Sequence, residues 1–515
     1  MAIKIKCPYC FGIFDDDRVH FRSEYVQIGN NKQLLKGFDN LTAFEMGYEG
    51  EDKESIIMQY KESSFYAPGE DEKYDRFWSR FNGKSTEKDP NNRTNDENMS
   101  IYRRKVIDPT DELHKRHLCS QQGGGYLIRD AEKRNMVTSV KLADGNGSVC
   151  SKRVCPFCHN PLPSDYGLYE VKFISVIGIV GAGKTVFLSQ FLNDFEKYAA
   201  KCDLTALKRT AAIHQFLEEN EISVGVTLPQ PTQRGFFEQP LIYNIERNKN
   251  GKRETITIVM YDIAGEVFKA DNMDEVSNYA PFIRESDGIM LLVDPEQFES
   301  IAENRNKKVE QSPADALNNI RTQIMGSDEK CKKPVAVCVS KMDSIVSFLA
   351  SDLINYIQSD YAGELVEGNA WKNQQIFNMQ SHQENGRKLE AFIAKHDTPI
   401  MQTLDTGFDN YQFFGFTALG CDVDESGKPI GPIQPHRIEE PILWMFSEVG
   451  LVGTNAMQCP RCKRNNVIRF DTKLREIQRR ESRLFRSDRI YTESVPVNCR
   501  CNYSDCNYEW FIDKK

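Results

Sequence analysis

The glycine-rich segment GIVGAGKT at residues 178–185 is the motif with the clearest chemistry in this sequence. The apolar run at 171–177 before it predicts a buried strand, and VFLSQFLNDFEKYA after it predicts an amphipathic helix. Backbone N–H groups of such a loop surround a polyphosphate, and the helix start adds the positive end of its dipole. The residues predicted to contact the phosphates are Gly178, Gly181, Ala182, Gly183, Lys184, Thr185 and Val186. Lys184 would supply a cation to the terminal phosphates, and Thr185 a hydroxyl ligand to Mg²⁺.

A second segment follows an alternating apolar run, ETITIVMY, and begins at Asp262. An acidic residue at the end of a buried strand can anchor Mg²⁺ through water, and Gly265 offers a backbone N–H close to the last phosphate. PLIYNIER, an Asn-Gly pair and ETITIVMY together predict a hairpin with a tight turn. We expect this hairpin to form an antiparallel edge pair beside the phosphate-loop strand.

The order of these elements over roughly residues 170–450 resembles the small GTPases of the Ras-like and translation-factor class. Asp262-Ile-Ala-Gly265-Glu266 is similar to the D-x-A-G-[QE] segment of that class, and the run 288–293 ends in Asp294. After it, Ser340-Lys341-Met-Asp343 is similar to [NT]-K-x-D, and Thr417-Ala418-Leu419 resembles S-A-[KL]. The resemblance implies an α/β fold with a mostly parallel sheet, GTP and Mg²⁺ as ligands, and hydrolysis of GTP.

Two features of hydrolysis follow from that resemblance. Glu266 stands where the class places its water-orienting Gln, and its negative charge near the last phosphate implies slow intrinsic turnover without a partner. A threonine should reach Mg²⁺ just before the edge strand. Thr227 and Thr232 are the two candidates, and Thr232 is favoured because it lies closer to the hairpin.

The case for guanine rests on Asp343. A carboxylate accepts two hydrogen bonds from guanine N1–H and N2–H₂, whereas adenine offers no such donor pair. The stem of Lys341 can cover the base, and the backbone N–H of Ala418 can meet guanine O6. Ser340 departs from the usual Asn or Thr, although its hydroxyl can still tie this loop to the phosphate loop.

The cysteines predict metal binding. Several of the fifteen occur as close pairs with Pro beside them, which favours zinc over disulfides in a reducing compartment. The pairs Cys7/Cys10 and Cys155/Cys158 lie more than 140 residues apart and can close one tetrahedral zinc site. In the alternative, one pair binds together with Cys119, Cys150 or His159.

A second zinc site is predicted near the C-terminus. Its best quartet is Cys459, Cys462, Cys501 and Cys506, with Cys499 as a replacement for Cys501. The segment KRNNVIRFDTKLREIQRRESRLFRSDR between these cysteines is basic. It either binds nucleic acid or an acidic partner, or forms a solvated hairpin or helix face.

Composition and spacing divide the chain into four parts. Residues 1–20 with 148–166 form a split N-terminal zinc ribbon, 21–147 a polar insert, 168–450 the nucleotide domain and 451–515 a C-terminal zinc ribbon. The middle of the insert, roughly 68–118, is expected to be a mobile loop or a segment that orders on a partner. The net charge of −9 argues against a surface that coats nucleic acid, and no apolar run suggests a membrane span. The chain is therefore expected to be cytoplasmic.

The combination of zinc ribbons with a GTPase domain resembles the bacterial double-GTPase family of conflict (defence) systems. This resemblance implies a regulatory switch that docks partner proteins. The alternative is a nucleic-acid-associated hydrolase of nucleoside triphosphates whose ribbons form the binding surface.

Overall fold

The computed structural model describes residues 3–23, 71–81, 106–143, 148–229, 237, 239–249, 252–268, 273–325, 330–367 and 375–459. Beyond them it describes residues 461, 506 and 508 and the backbone of 465–467, 474–483, 486–496, 499–500 and 509–510. Within these ranges, no helix has the length and apolar character that crossing a bilayer requires.

In its described residues, the N-terminal module contains short strands and two α-helices. Its elements are β1 (Lys4–Lys6), β2 (Ile13–Asp15), β3 (His20–Arg22), α1 (Glu72–Trp78), β4 (Val106–Ile107), α2 (Glu112–Lys115), β5 (Leu127–Asp130), β6 (Met136–Lys141), β7 (Val149–Cys150) and β8 (Lys152–Val154). β1 and β2 pair as a hairpin, β3 lies between β4 and β8, and β6 lies between β5 and β7. The insert therefore adds strands to the ribbon.

Helix α1 differs from the mobile loop that the composition suggested for residues 68–118. Tyr74, Phe77, Trp78 and Phe81 follow the i, i+3, i+4, i+7 spacing of a helix face, and all four are buried. The side chain of Asp71 caps the helix by accepting from the N–H of Tyr74 at 3.2 Å. The loop prediction is wrong for this stretch, because four apolar residues suffice to dock one short helix within a polar sequence.

The central sheet has seven strands in the order β10-β11-β12-β9-β13-β14-β17. Its strands, with one small hairpin (β15 and β16) outside the sheet, are β9 (Glu170–Gly178), β10 (Leu204–Lys208), β11 (Leu241–Lys249), β12 (Lys252–Ala264), β13 (Gly288–Val293), β14 (Val335–Val339), β15 (Val366–Glu367), β16 (Gln375–Ile376) and β17 (Tyr411–Gly415). The strands β12, β9, β13, β14 and β17 run parallel, and β11 and β10 extend the sheet by antiparallel pairing. The predicted α/β fold with a mostly parallel sheet is confirmed.

The hairpin of β11 and β12 lies where the Asn-Gly turn predicted it, but it is not the edge of the sheet. β10 pairs with β11 over five residues and forms the edge instead. The edge prediction is wrong because LTALK at 204–208 is too short and too weakly apolar to stand out in the sequence.

Helices cover both faces of the sheet. They are α3 (Lys184–Lys201), α4 (Ala211–Glu219), α5 (Met273–Glu285), α6 (Glu299–Asn304), α7 (Pro313–Met325), α8 (Ser351–Gln358), α9 (Met379–His396), α10 (Thr398–Gly407) and α11 (Glu440–Glu448). The apolar residues of β9, β13 and β14 are buried throughout their carboxyl halves, as expected for strands covered on both faces. Because the five parallel strands end at one edge, the loops that follow them meet there.

The described part of the C-terminal region contains three antiparallel pairs of strands. They are β18 (Ala456–Gln458) with β19 (Asn465–Val467), β20 (Leu474–Arg483) with β21 (Arg486–Pro496), and β22 (Cys499–Arg500) with β23 (Glu509–Trp510). The basic segment therefore forms a long hairpin rather than a helix.

Candidate nucleotide site and metal centre

The phosphate loop connects β9 to α3 at the carboxyl edge of the sheet. Gly181 and Gly183 have positive φ angles of 77° and 66°, which favour glycine and let the loop turn back on itself. Lys184 begins α3, so the loop ends at a helix N-terminus. The loop borders a cavity of about 270 Å³ lined by Gly178, Ile179, Val180, Gly181, Ala182, Gly183, Lys184, Thr185, Val186, Pro229, Ala264, Gly265 and Lys341.

The end of β12 brings the acidic segment to this loop. The register aligns Asp262 with Val176 and Ala264 with Gly178, so the two strands end side by side. The buried carboxylate of Asp262 forms an ion pair with the ammonium group of Lys184 beneath the loop. Gly265 packs so closely against the loop that a Cβ there would overlap the carbonyl oxygen of Gly178. A side chain is therefore excluded at Gly265.

A second cavity of about 600 Å³ adjoins the first and shares Ala182, Gly183, Val186 and Lys341 with it. Its other lining residues are Leu228, Glu296, Ser340, Asp343, Ser344, Phe416, Ala418, Leu419, Gly420, Cys421, Asp422 and Val423. The two spaces form one groove because they share four residues. The groove thus brings the phosphate loop together with the predicted base-recognition residues Ser340, Lys341, Asp343, Ala418 and Leu419.

Asp343 and Thr417 are joined at the rim of the larger cavity. The N–H of Asp343 donates to the hydroxyl of Thr417 at 3.3 Å, and Thr417 itself is buried. Burial raises the pKa of Asp343, and it does so against an opposing side-chain hydrogen bond from Thr417. Asp343 is exposed at the rim, and its contact with Thr417 holds it there before any ligand arrives.

Lys341 crosses between the two cavities. Its φ of 49° is left-handed, and its ammonium group lies 3.0 Å from Asp294, the residue that follows β13. A Cβ on Gly183 would lie 3.6 Å from Lys341 Cε, so the lysine stem runs past the end of the phosphate loop. The Ser340 hydroxyl donates to the carbonyl of Val293 at 3.1 Å instead of tying its loop to the phosphate loop. This expectation is wrong because the short side chain reaches only the neighbouring strand.

A buried charged network supports the Thr417 loop. Thr417 and His436 exchange backbone hydrogen bonds of 3.1 and 2.8 Å, and Arg437 follows directly. The guanidinium of Arg437 lies 2.8 Å from Glu440, which also accepts from His382 at 2.9 Å. Burial alone would raise the pKa of Glu440, but Arg437 and His382 outweigh it and hold the pKa at about 2. All three side chains are inaccessible to solvent.

Residues 225–228 form a strap beside the groove. The N–H of Gly225 donates to Pro429 O at 3.1 Å, and that of Leu228 donates to Gly427 O at 2.8 Å. Leu228 lines the larger cavity, whereas Thr227 is exposed and lines neither. The favoured switch residue, Thr232, and the side chain of Glu266 lie outside the described residues.

The four N-terminal cysteines converge from both ends of the module. The sulfur atoms of Cys7, Cys10, Cys155 and Cys158 all lie within 4.8 Å of one another. The Sγ–Sγ distances are 3.7 Å for Cys7–Cys158 and 3.7 Å for Cys10–Cys155. A tetrahedron with Zn–S bonds of about 2.3 Å has edges of about 3.8 Å, so this arrangement fits zinc.

The two cysteine knuckles have the same local geometry. The N–H groups of Tyr9 and Phe157 each point to the preceding cysteine sulfur at 3.4 Å. Phe11 and His159 both have left-handed φ angles, of 57° and 52°. His159 does not approach the sulfur cluster as a ligand, since its Nδ1 lies 2.6 Å from Asp71. This disfavours the alternative that includes His159.

At the C-terminus the structure describes part of the predicted quartet. Cys459 and Cys506 approach with their Sγ atoms 3.8 Å apart, a distance similar to those in the first cluster. Cys462 and Cys501 lie outside the described residues, and Cys499 is described only as backbone in β22. The second quartet therefore stays a prediction.

A parallel sheet, a glycine-rich loop ending at a helix N-terminus and a continuous groove define a P-loop nucleotide-binding domain. Residues 172–395 match the family model described as Double-GTPase 2. This part of the chain is therefore a P-loop GTPase domain of the double-GTPase family, as the sequence motifs predicted. No curated protein sequence matches the chain significantly.

Several solved structures are remotely similar. Aquifex aeolicus Era bound to GDP and aluminium fluoride is 12% identical with a TM-score of 0.22, and the match covers 48% of this chain and 52% of that one. Era in complex with MgGDPNP and a fragment of 16S ribosomal RNA is 12% identical (TM-score 0.19; 48% and 52% covered). Sup35 complexed with GDP is 13% identical (TM-score 0.20; 54% and 44% covered). The chain spans about half the length of these proteins, and the family assignment rests on the family model.

Proposed function

We propose that this chain is a GTP-hydrolysing regulatory switch that uses Mg²⁺ and reports its nucleotide state to a zinc-bound N-terminal module. The observation that carries the choice of GTP is the Asp343–Thr417 pair at the rim of a cavity continuous with the phosphate loop. A prepositioned carboxylate matches the two donors of guanine and leaves adenine without a partner.

The roles proposed in hydrolysis follow from the positions around the smaller cavity. Lys184 would leave its ion pair with Asp262 to contact the terminal phosphates, and Asp262 would then hold Mg²⁺ through water. Thr185 and Thr232 would supply hydroxyl ligands to Mg²⁺, Gly265 would offer its N–H to the last phosphate, and Glu266 would orient water. Because phosphoryl transfer depends on offsetting charge, an acidic Glu266 makes intrinsic turnover slow and leaves room for a stimulating partner.

Residues that flank the two segments expected to respond to nucleotide are packed against the N-terminal module. Phe237 follows the segment that contains Thr232, and it stacks on Phe81 of the insert with ring centroids 4.8 Å apart. Phe237 also packs against Phe282 of α5, the helix after the Gly265 turn, at 4.3 Å. The side chain of Asn278, also on α5, donates to the carbonyl of Arg80 at 2.9 Å.

The first cysteine knuckle contacts the same face of the sheet. Tyr261, the residue before Asp262, donates from its hydroxyl to Pro8 O at 2.7 Å. Phe11 packs against Phe282 with centroids 5.2 Å apart, and Lys6 pairs with Glu285 of α5 at 2.6 Å. Movements of the switch segments would therefore displace the residues of the N-terminal module that contact their flanks. Partner proteins of a defence system are proposed to dock on this module.

The four cysteines Cys7, Cys10, Cys155 and Cys158 are proposed to hold Zn²⁺ as a structural ion. Closed sites of four thiolates leave no open coordination position, so they stabilise folds and do not perform hydrolysis. The quartet Cys459, Cys462, Cys501 and Cys506 is proposed as a second site of the same kind.

The nucleic-acid alternative is favoured by the long C-terminal hairpin. By the register of β20 and β21, Arg475, Arg479 and Arg489 share a face with Tyr491, and Glu481 and Glu493 lie on that face as well. Arginines beside an aromatic residue are suited to phosphates and stacked bases, and the two glutamates offset part of their charge. If this alternative holds, the chain will bind RNA or single-stranded DNA with an affinity that falls steeply with salt.

The test of the proposed function is nucleotide hydrolysis by the full chain with Mg²⁺. We expect GTP to be hydrolysed in preference to ATP, and Lys184→Ala to abolish both binding and turnover. Equal rates with ATP and GTP would contradict the guanine assignment. Activity that requires RNA would favour the alternative.

A further inference from the structure

Gln311 joins the phosphate loop to the Gly265 turn. It lies in the segment between α6 and α7 and is buried. Its Oε1 accepts from the N–H of Val180 at 3.0 Å, and its Nε2 donates to the carbonyl of Gly265 at 2.9 Å. The orientation of the amide is unambiguous because Val180 offers only a donor and Gly265 only an acceptor at these atoms. No sequence motif pointed to this residue.

The turn at 265–268 is held at both ends by amide side chains from one region. Gln311 holds the carbonyl of Gly265, and Asn319 of α7 donates to the carbonyl of Phe268 at 2.6 Å. The two contacts differ in one respect. Asn319 ties the turn only to α7, whereas Gln311 also ties it to the phosphate loop through Val180.

We propose that Gln311 is a positioning residue for GTP hydrolysis. It keeps Gly265 and the adjoining Glu266 in register with the phosphate loop, so that the last phosphate and the attacking water meet correctly placed groups. This inference rests on the proposed function. The diphosphate is expected to contact the phosphate loop and not the Gly265 turn, so GDP binding should feel only the loss of the Gln311–Val180 hydrogen bond and should change far less than turnover. Turnover should be sensitive, because a misplacement of about 1 Å near the reacting atoms can lower rates about 10²-fold.

The principal test is Gln311→Met, which keeps the length of the side chain and removes both hydrogen bonds. Single-turnover hydrolysis at saturating GTP should fall by about 10- to 100-fold, while the Kd for GDP changes less than about 3-fold. The matched control is Asn319→Leu, which releases the far end of the same turn and should lower the rate less than about 3-fold. Equal losses in both variants would show a general loosening of the turn and overturn the proposal.

A second variant, Gln311→Glu, keeps an acceptor for Val180 but lacks the donor for Gly265 when ionised. Protonation restores an O–H donor, so its rate relative to the wild type should rise as the pH falls through the pKa of the new carboxyl group, which burial raises. A structural role alone would give no such acid rescue. A flat ratio, or a Gln311→Met variant with the wild-type rate, would overturn the proposal while leaving GTP hydrolysis by the wild type intact. A wild type that binds GDP but hydrolyses no GTP would instead remove the proposed function and this inference together.

Discussion

Replacing Asp343 with Asn tests whether this carboxylate selects guanine. Asn is nearly isosteric, but it keeps one acceptor and presents an N–H₂ group where guanine N2–H₂ also donates. Hydrogen bonds to charged groups contribute about 1.5–3 kcal/mol each. Loss of one such bond and weakening of the other predict a loss of about 2–4 kcal/mol, or roughly 30- to 700-fold in GTP affinity.

The surroundings of Asp343 place the effect at the lower part of that range. Asp343 is exposed at the rim of the groove, so its carboxylate gives up hydration when guanine binds. Thr417 holds the Asp343 backbone through a 3.3 Å hydrogen bond, so little backbone freedom is lost on binding. A solvated acceptor on a fixed backbone converts only part of its interaction energy into affinity.

The assay is competition of GTP and ATP against a fluorescent GDP analogue, with Asp352→Asn as the control. Asp352 is an exposed acidic residue at the start of α8, and its replacement should leave both affinities within about 2-fold of the wild type. Asp343→Asn should lower GTP affinity and leave ATP affinity unchanged. An unchanged ratio of GTP to ATP affinity in Asp343→Asn would refute the reasoning.

The same carboxylate gives the binding a pH dependence of definite sign. Guanine needs the ionised form, and the folded pKa of Asp343 lies above its ordinary value of 3.8. GTP affinity should therefore be full at neutral pH and begin to fall, on acidification, at a higher pH than an unperturbed aspartate would produce. Asp343→Asn should lack this fall.

Three further predictions concern the parts of the chain around the groove. Cys155→Ser should lower the zinc content by about one ion per chain in elemental analysis, whereas Cys119→Ser should not; equal zinc in both variants would contradict the four-cysteine site. Phe81→Ala should expose the insert to limited proteolysis and change the ratio of GTP to GDP affinity, because Phe81 stacks on Phe237, which follows the segment that contains Thr232. An unchanged ratio would argue against coupling between the insert and the nucleotide site. Glu440→Gln should lower the free energy of unfolding at pH 7 by about 3 kcal/mol in urea titrations, because it removes the buried negative charge that both Arg437 and His382 contact. Since the folded pKa of Glu440 is about 2 against an ordinary 4.5, the wild type should lose that contribution as the pH falls from about 4.5 to 2, and the variant should not.

The sequence predicted the parts of the site that are encoded by contiguous residues. The phosphate loop, the Asp262 segment and the Lys341–Asp343 segment each combine a strand with a short motif, and each strand lies within a few residues of its predicted bounds. Such motifs can be recognised from the sequence because one strand and the loop after it position all the residues of the motif.

Features that depend on tertiary packing were not accessible in this way. Gln311 is a single amide in a loop, and only the folded chain shows that it reaches both Val180 and Gly265. The helical spacing of Tyr74, Phe77, Trp78 and Phe81 was present in the sequence, but the polar residues around it hid the signal. At Ser340 the sequence instead predicted a contact that is not made. The family motif suggested a bond to the phosphate loop, but the short side chain donates to the carbonyl of Val293.

The wide separation of the two cysteine pairs has a structural consequence for the switch. Three contacts join the second knuckle to α1 and its cap: Asp71 pairs with His159 at 2.6 Å, Lys73 donates to Pro156 O at 2.9 Å, and Trp78 donates to Asn160 at 2.9 Å.

Zinc binding by the four cysteines would therefore also hold α1 in place. The aromatic side chains of α1 pack against Phe81, which stacks on Phe237 next to the segment that contains Thr232. If nucleotide binding moves Phe237, it must alter the free energy of the closed module. Because linkage between two binding sites is reciprocal, zinc occupancy would then change nucleotide affinity by the same factor by which nucleotide changes zinc affinity. Zinc binding and the order of the insert are coupled because the two cysteine pairs lie on either side of the insert. A ribbon formed by cysteines close in sequence could bind zinc without ordering the insert.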